Sequence, residues 1–172
     1  MGRRGARPSL PVASGPDRLT RVRRLYRGRV DRTHLDAARR ALGADQTIDI
    51  VTVGAKSGER RTTEIWFTRV GEEIYITGTP AGDGTSGARR RRDWLANLKA
   101  HPEFEFVLKE SADVVLPAVA TEVTDREERA RVFSAPGARY YRDTTGSIDR
   151  LVDDAPLVRV TFAGDASPLN PT

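Results

Sequence analysis

The stretch VTVGAKSGERRTTEIWF at residues 51–67 places two strand-like segments on either side of a short turn rich in glycine and basic residues. Its flanks carry the β-branched and aromatic side chains that are typical of strands. Glycines let backbone N–H groups approach a ligand closely, and lysine, serine and arginine side chains donate hydrogen bonds to phosphate oxygens. We therefore predict an anion-binding turn whose candidate residues are Lys56, Ser57, Gly58, Arg60 and Arg61.

The turn is distinct from the nucleoside-triphosphate loop, which has four residues between its first glycine and a Gly-Lys-Ser/Thr triplet and continues as a helix. Here a segment with Trp66 and Phe67 follows, and neighbouring strand residues should face opposite sides of a sheet. An ordinary hairpin turn with solvated charges is the alternative interpretation, and this stretch alone leaves both open.

The rest of the chain predicts an antiparallel barrel of about six strands with inserted helices, which is an α+β fold. Alternating apolar residues and turn signals predict the strands at Ile48–Val53, Thr63–Arg69, Glu73–Gly78, 103–109, Asp113–Val123 and Leu157–Phe162. Capping residues and stop signals predict helices from Thr33 to Gly43, from Arg89 to Lys99 and from Thr124 to Phe133.

The charge of the chain is concentrated at its N-terminus. The 172 residues carry a net charge of +5, and residues 1–40 hold twelve arginines against three aspartates. Gly, Pro and Ser crowd residues 1–16, so we predict a basic, partly disordered arm or helix over 1–32, a barrel domain over 33–164 and a flexible tail over 165–172. A basic arm can contact an anionic membrane surface weakly.

Several protein classes are disfavoured by what the chain lacks. Cysteine is absent, so disulfides, thiol nucleophiles and thiolate metal sites are ruled out, and a reducing, cytoplasmic setting is expected. No metal-ligand spacing is present, and no nucleic-acid recognition motif accompanies the arginines. The adjacent acids Glu127-Glu128 and Asp153-Asp154 are expected to be solvated surface residues.

A second block of sequence makes a family resemblance visible. After the turn come a Gly-rich run, Gly78 to Gly87, and then DWLANLKAHP at residues 93–102. The two blocks together closely resemble the deazaflavin-dependent nitroreductase family of actinobacterial oxidoreductases, over roughly residues 47–162. That resemblance implies an FMN-binding split barrel-like fold that holds coenzyme F-420 (8-hydroxy-5-deazaflavin).

The resemblance also implies roles for particular residues. The basic turn would hold the coenzyme's phosphate, and Arg89 to Arg92 would meet its glutamate tail, with a solvated charge run as the alternative. Tyr140 and Tyr141 would be the catalytic residues, beside the coenzyme ring and the substrate, although one of the two is expected to be structural. The further cofactor-binding candidates in the matching blocks are Gly78, Arg92, Trp94 and Asn97.

The resemblance implies an oxidoreductase that uses reduced coenzyme F-420 to deliver hydride to a quinone, an activated alkene or a nitroaromatic. The expected partners are this small-molecule substrate and a second copy of the chain. This chain departs from the family pattern at Ala55, where arginine is usual, and at Glu64-Ile65, where Pro-Leu is common. FMN therefore stays open as an alternative cofactor, and a non-catalytic coenzyme-binding protein as an alternative function.

Overall fold

The computed structural model describes residues 29–80 and 93–171, and its centre is a closed, fully antiparallel barrel of six strands. The strands lie in the order β1-β2-β3-β6-β5-β4, and β4 pairs with β1 to close the barrel. The α+β barrel prediction is confirmed. The strands are β1 Thr47–Val53, β2 Arg60–Val70, β3 Glu73–Thr77, β4 Glu103–Leu108, β5 Val114–Glu122 and β6 Leu157–Phe162.

Five α-helices lie in the described ranges, more than the sequence predicted. They are α1 Arg32–Ala44, α2 Asp93–Ala100, α3 Arg126–Ser134, α4 Arg139–Thr145 and α5 Ile148–Asp154. Short 3-10 helices cover Pro136–Ala138 and Gly164–Leu169. None of the helices in these ranges is both long and apolar enough to cross a membrane. Residues 89–92 of the predicted basic helix lie outside the described residues.

Strand alternation fills the barrel with apolar side chains. Ile48 and Ile50 of β1 are fully buried and lie opposite Leu108 and Phe106 of β4. Phe106 makes edge-to-face contacts with Phe67 and Phe162, at centroid distances of 5.6 and 5.4 Å. Since such pairs add to the energy of burial, this aromatic cluster stabilises the middle of the barrel.

The N-cap of helix α1 lies two residues before Thr33, where the sequence predicted the helix to start. The cap is Asp31, not Thr33, because the Asp31 carboxylate accepts a hydrogen bond from the His34 N–H at 3.0 Å. The His34 ring accepts in turn from the Asp31 N–H at 3.4 Å, which completes a capping box built with histidine. Helix α3 differs in the other direction, because its N-cap is Asp125, one residue after the predicted start at Thr124.

Helices α3, α4 and α5 pack on the outside of the barrel around Tyr75. Ile74 and Ile76 of β3 point into the barrel core, whereas Tyr75 lies in a second apolar cluster with Phe133, Tyr141 and other helical residues. The Tyr75 hydroxyl contacts Glu73 at 3.0 Å and Glu128 at 2.9 Å, and it accepts from Arg131 at 2.9 Å. Burial and both carboxylates raise the pKa of Tyr75, so this hydroxyl stays protonated.

The prediction that Glu127-Glu128 are both solvated is wrong for Glu128. Its side chain is only 17% exposed, and besides Tyr75 it accepts a hydrogen bond from Arg159 at 3.1 Å. Because helix α3 turns Glu128 toward the barrel wall, the two adjacent acids face different surroundings.

Arg129 stabilises the same helical layer through hydrogen bonds to carbonyl oxygens, and it has no acidic partner among the described residues. Its guanidinium donates to the carbonyl oxygens of Val123, Leu151, Val152 and Ala155, at 2.5 to 3.2 Å. Three of these carbonyls belong to the C-terminal end of α5, where a helix runs out of backbone donors for its last carbonyls. The Leu151 carbonyl also accepts from the Ala155 N–H at 3.1 Å. The buried arginine therefore ties the end of β5 to α5.

We expect Phe106→Ala to lower the free energy of unfolding by about 3–5 kcal/mol, because it removes the central ring and leaves a cavity. Ile148→Ala is the matched control, since Ile148 is 39% exposed and its truncation should change stability by less than about 0.5 kcal/mol. Urea denaturation of both variants checks the difference, and equal midpoints would contradict a core centred on Phe106.

Candidate functional site

The β1–β2 turn, residues 54–59, is closed by its own backbone. The Gly54 N–H donates to the Glu59 carbonyl at 2.7 Å, and the Gly58 N–H donates to the Gly54 carbonyl at 2.9 Å. Gly58 has a φ of +69°, a left-handed conformation that favours glycine. The Ser57 hydroxyl accepts from the Glu59 N–H at 3.3 Å.

Close contacts inside the turn leave no room for a side chain at position 54, which is Gly54. A Cβ at this position would lie 2.5 Å from the Ser57 Oγ and 3.3 Å from the Glu59 carbonyl oxygen. Either distance is tighter than ordinary packing, so a side chain there would have to displace Ser57. The turn owes its shape to this close approach.

Two consecutive N–H groups of the turn are left available. In the described part of the chain, no residue accepts a hydrogen bond from the N–H of Lys56 or Ser57. Both residues are exposed. Successive N–H groups without protein partners, beside a lysine, are the donors that an anion needs.

The three basic side chains at the turn, Lys56 within it and Arg60 and Arg61 at the start of β2, have different partners. Arg61 pairs with Glu59 at 2.7 Å and Arg60 pairs with Glu105 of β4 at 2.6 Å. Lys56 forms no ion pair with any residue in ranges 29–80 and 93–171. The predicted anion-binding residues thus lie together, with Arg60 directed along the barrel wall.

Asn97 of helix α2 supports the turn from behind. Its Oδ1 accepts from the Ala55 N–H at 2.9 Å, and its Nδ2 donates to the Thr52 hydroxyl at 3.1 Å. The side chain is buried, with 7% of the residue exposed. Both functional groups of this predicted cofactor-binding residue therefore make hydrogen bonds within the protein.

Trp94 and Gly78 lie together where β3 ends and α2 begins. A Cβ on Gly78 would meet Pro156 at 3.1 Å and the Trp94 ring at 3.7 Å, and Trp94 is 5% exposed. Trp94 and Asn97 are three residues apart on α2, which is about one helical turn. The same turn of this helix therefore contacts the end of β3 through Trp94 and the basic turn through Asn97. Arg92, which directly precedes this helix, lies outside the described residues, as do Arg89 to Arg91.

The two candidate tyrosines have different environments. Tyr141 is 5% exposed and its hydroxyl donates to the Thr77 carbonyl at 3.2 Å, next to Gly78. Burial raises the pKa of Tyr141, so this hydroxyl also stays protonated. Tyr140 is 49% exposed and packs its ring on Trp66, with centroids 4.6 Å apart and a tilt of 34°. Tyr141 is thus the buried member of the pair, and Tyr140 is open to solvent.

The sequence prediction missed the contact between the rings of Trp66 and Tyr140. Phe67 points into the barrel and Trp66 points outward, as the strand alternation predicted. What remained unseen was that Tyr140, seventy-four residues later in the chain, would pack on it. The only local signal was an aromatic residue on the outer face of a strand.

No group of three or more His, Asp and Glu side chains in the described ranges is arranged to hold a metal ion.

Solved structures of low sequence identity share the barrel. A protein related to general stress protein 26, of the pyridoxinephosphate oxidase family, from Clostridium acetobutylicum superposes with a TM-score of 0.54 at 14% identity, over 78% of this chain and 85% of that one. A FAD-binding protein from Mesorhizobium loti gives 0.50 at 13% identity, over 76% and 89%. The chain is thus a split β-barrel protein.

The sequence comparison narrows this class to one family. The model of the family described as F420H(2)-dependent quinone reductase matches residues 22–161, and the chain belongs to that family. It is a family of oxidoreductases that depend on the reduced deazaflavin, so the predicted resemblance, enzyme class and coenzyme are confirmed at the level of the family.

Individual relatives match over a shorter stretch. A quinone reductase of this kind from Mycobacterium tuberculosis and a putative one from Mycobacterium bovis are each 33% identical to this chain over 81 residues. The match covers 47% of this chain and 48% of theirs, so the chain spans about half the length of the curated relatives it matches.

We expect Asn97→Leu to lower the free energy of unfolding by about 1–3 kcal/mol, because the Ala55 N–H loses its acceptor and the Thr52 hydroxyl loses the hydrogen bond that Asn97 donates. Thr52→Val is the matched variant, since it removes only the Thr52 end of this chain of hydrogen bonds. Amide hydrogen exchange at Ala55 should accelerate in Asn97→Leu much more than in Thr52→Val. Equal exchange in both would show that Asn97 does not anchor the turn.

Proposed function

We propose that this protein reduces a small organic acceptor, a quinone in the first place, with the reduced deazaflavin coenzyme F-420 as the electron donor. The observation that carries the proposal is the β1–β2 turn of a chain in this family, where two N–H groups without a partner among the described residues lie beside Lys56 and Arg61. Activated alkenes and nitroaromatics are the other acceptors that this chemistry admits.

The turn fits the phosphate of the coenzyme. The N–H groups of Lys56 and Ser57 would donate to its oxygens, and the Lys56 ammonium and the Arg61 guanidinium would balance its charge. Gly54 and Gly58 keep the backbone in the shape that presents these donors. Asn97 contributes indirectly, by fixing Ala55.

The aromatic pair Trp66 and Tyr140 fits a planar acceptor. The bound coenzyme supplies a hydride, and a quinone must take up a proton as well to become a hydroquinone. Tyr140 is exposed and its ring is already packed on Trp66, so its hydroxyl can donate a hydrogen bond or a proton to an acceptor oxygen. The Tyr141 hydroxyl donates to the Thr77 carbonyl, and this hydrogen bond positions helix α4, which carries both tyrosines.

The acceptor is a small molecule, and the other expected partners stay predictions. A homodimer and weak contact of the basic arm with an anionic membrane surface are both part of the proposal. Of the predicted arm, residues 1–32, residues 1–28 lie outside the described residues. Cytoplasmic localisation is likewise proposed from the composition of the chain.

We expect Lys56→Met to weaken binding of oxidised coenzyme F-420 about tenfold or more, because one charged donor to the phosphate is lost. Lys109→Met is the control, since Lys109 pairs with Asp49 and Glu64 elsewhere on the barrel surface. Fluorescence titration gives the dissociation constants, with FMN titrated in parallel. Preference for FMN would move the protein to the flavin-binding alternative, and unchanged affinity in Lys56→Met would remove the phosphate site.

We expect Tyr140→Phe to lower kcat for quinone reduction at least about tenfold with little change in coenzyme affinity, because the hydroxyl acts on the acceptor. Tyr141→Phe should instead lower thermal stability, since it removes the buried hydrogen bond to Thr77. Steady-state oxidation of the reduced coenzyme measures the first effect and a thermal melt the second. A parallel loss of kcat and coenzyme affinity in Tyr140→Phe would place that hydroxyl in coenzyme binding.

A further inference from the structure

We propose that Glu59 competes with the coenzyme's phosphate for Arg61 and thereby limits how tightly the turn binds that coenzyme. The inference rests on the function proposed above and concerns the same turn. Glu59 is an internal anion placed among the donors that the phosphate would use.

The backbone of Glu59 is held within the turn on both sides. Its carbonyl accepts from the Gly54 N–H at 2.7 Å, and its N–H donates to the Ser57 hydroxyl at 3.3 Å. From this fixed start the carboxylate reaches the Arg61 guanidinium at 2.7 Å. The acid that pairs with Arg61 is therefore part of the turn itself, and it cannot move away from the site as a whole.

The Glu59–Arg61 ion pair is exposed, so another anion can replace the Glu59 carboxylate as the partner of Arg61. The two side chains are 67% and 58% exposed, and ion pairs between such groups contribute little because water and salt compete for both partners. A phosphate that also accepts from backbone N–H groups can displace a carboxylate held by a single exposed pair.

Arg60 provides the contrast within the same strand. Its partner Glu105 is only 13% exposed and holds the guanidinium against β4 at 2.6 Å. Arg61 is thus the arginine of the turn whose partner is easily displaced. Lys56, Arg60 and Arg61 carry three positive charges against the two negative charges of Glu59 and Glu105, so neutralising Glu59 doubles the net charge there from +1 to +2.

The direct test is Glu59→Gln, which keeps the shape of the side chain and removes its charge. We expect the dissociation constant for oxidised coenzyme F-420 to fall about 1.5- to 5-fold, the range that corresponds to one exposed ion pair. Arg61→Met should weaken binding, and Glu59→Gln added to Arg61→Met should give no gain, because the competition needs Arg61.

Glu64→Gln is the matched control. Glu64 lies on β2, the strand that carries Arg61, and it pairs with Lys109. Its side chain is 66% exposed, about as much as that of Glu59, so this change removes an equally exposed negative charge away from the turn. Coenzyme affinity should stay at the wild-type value. An equal gain in Glu64→Gln, or a full gain in the Arg61→Met background, would show a general charge effect and overturn the proposal.

Inorganic phosphate separates this inference from the proposed function. If no variant binds the deazaflavin, the proposed function fails, and the competition is then measured by following the Arg61 Nε–H signal in NMR titrations with phosphate. Tighter phosphate binding by Glu59→Gln than by wild type supports the competition. Equal phosphate binding by the two proteins would refute it.

Discussion

The candidate site depends on the two hydrogen bonds made by the buried side chain of Asn97. Its amide joins β1, the basic turn and helix α2 through hydrogen bonds to Thr52 and Ala55. A buried amide group is costly unless its donors and acceptors are paired, so these bonds fix the position of the helix as well as the turn. Because the same helix carries Trp94, which packs beside Gly78, the turn and the end of β3 keep a constant relation to each other.

The helical layer on the outside of the barrel positions the tyrosines. Arg129 gathers four carbonyl oxygens at the junction of β5 and α5, and Tyr75 with its charged partners holds α3 against β3 and β6. Although burial raises the pKa of Glu73, the hydrogen bonds from Arg131 and Tyr75 outweigh it and lower that pKa overall. The segment that carries Tyr140 and Tyr141 therefore packs on a helical layer held by hydrogen bonds and ion pairs, and it leaves the Tyr140 ring exposed to solvent.

The electrostatic character of the turn differs from what its residue types suggest. Two of the three cations at the turn are paired within the protein, Arg60 with the largely buried Glu105 of β4 and Arg61 with the exposed Glu59 of the turn. What distinguishes the turn is the combination of backbone N–H groups that have no partner in the described ranges with an unpaired lysine. Local backbone geometry and charge pairing act together, and neither is visible from a count of basic residues.

The sequence by itself determined the strands, the barrel class, the family and the basic turn, because alternation, turn residues and short-range spacing are local properties of the chain. It did not reveal helices α4 and α5, the inward-facing side of Glu128, or the carbonyl cluster around Arg129. Those features depend on partners that are distant in sequence, as do the pairing of Arg60 with Glu105 and the packing of Tyr140 on Trp66. Only the closed barrel brings these residues into contact, so the tertiary structure alone decided which predicted site residues are buried in the fold and which are exposed to solvent.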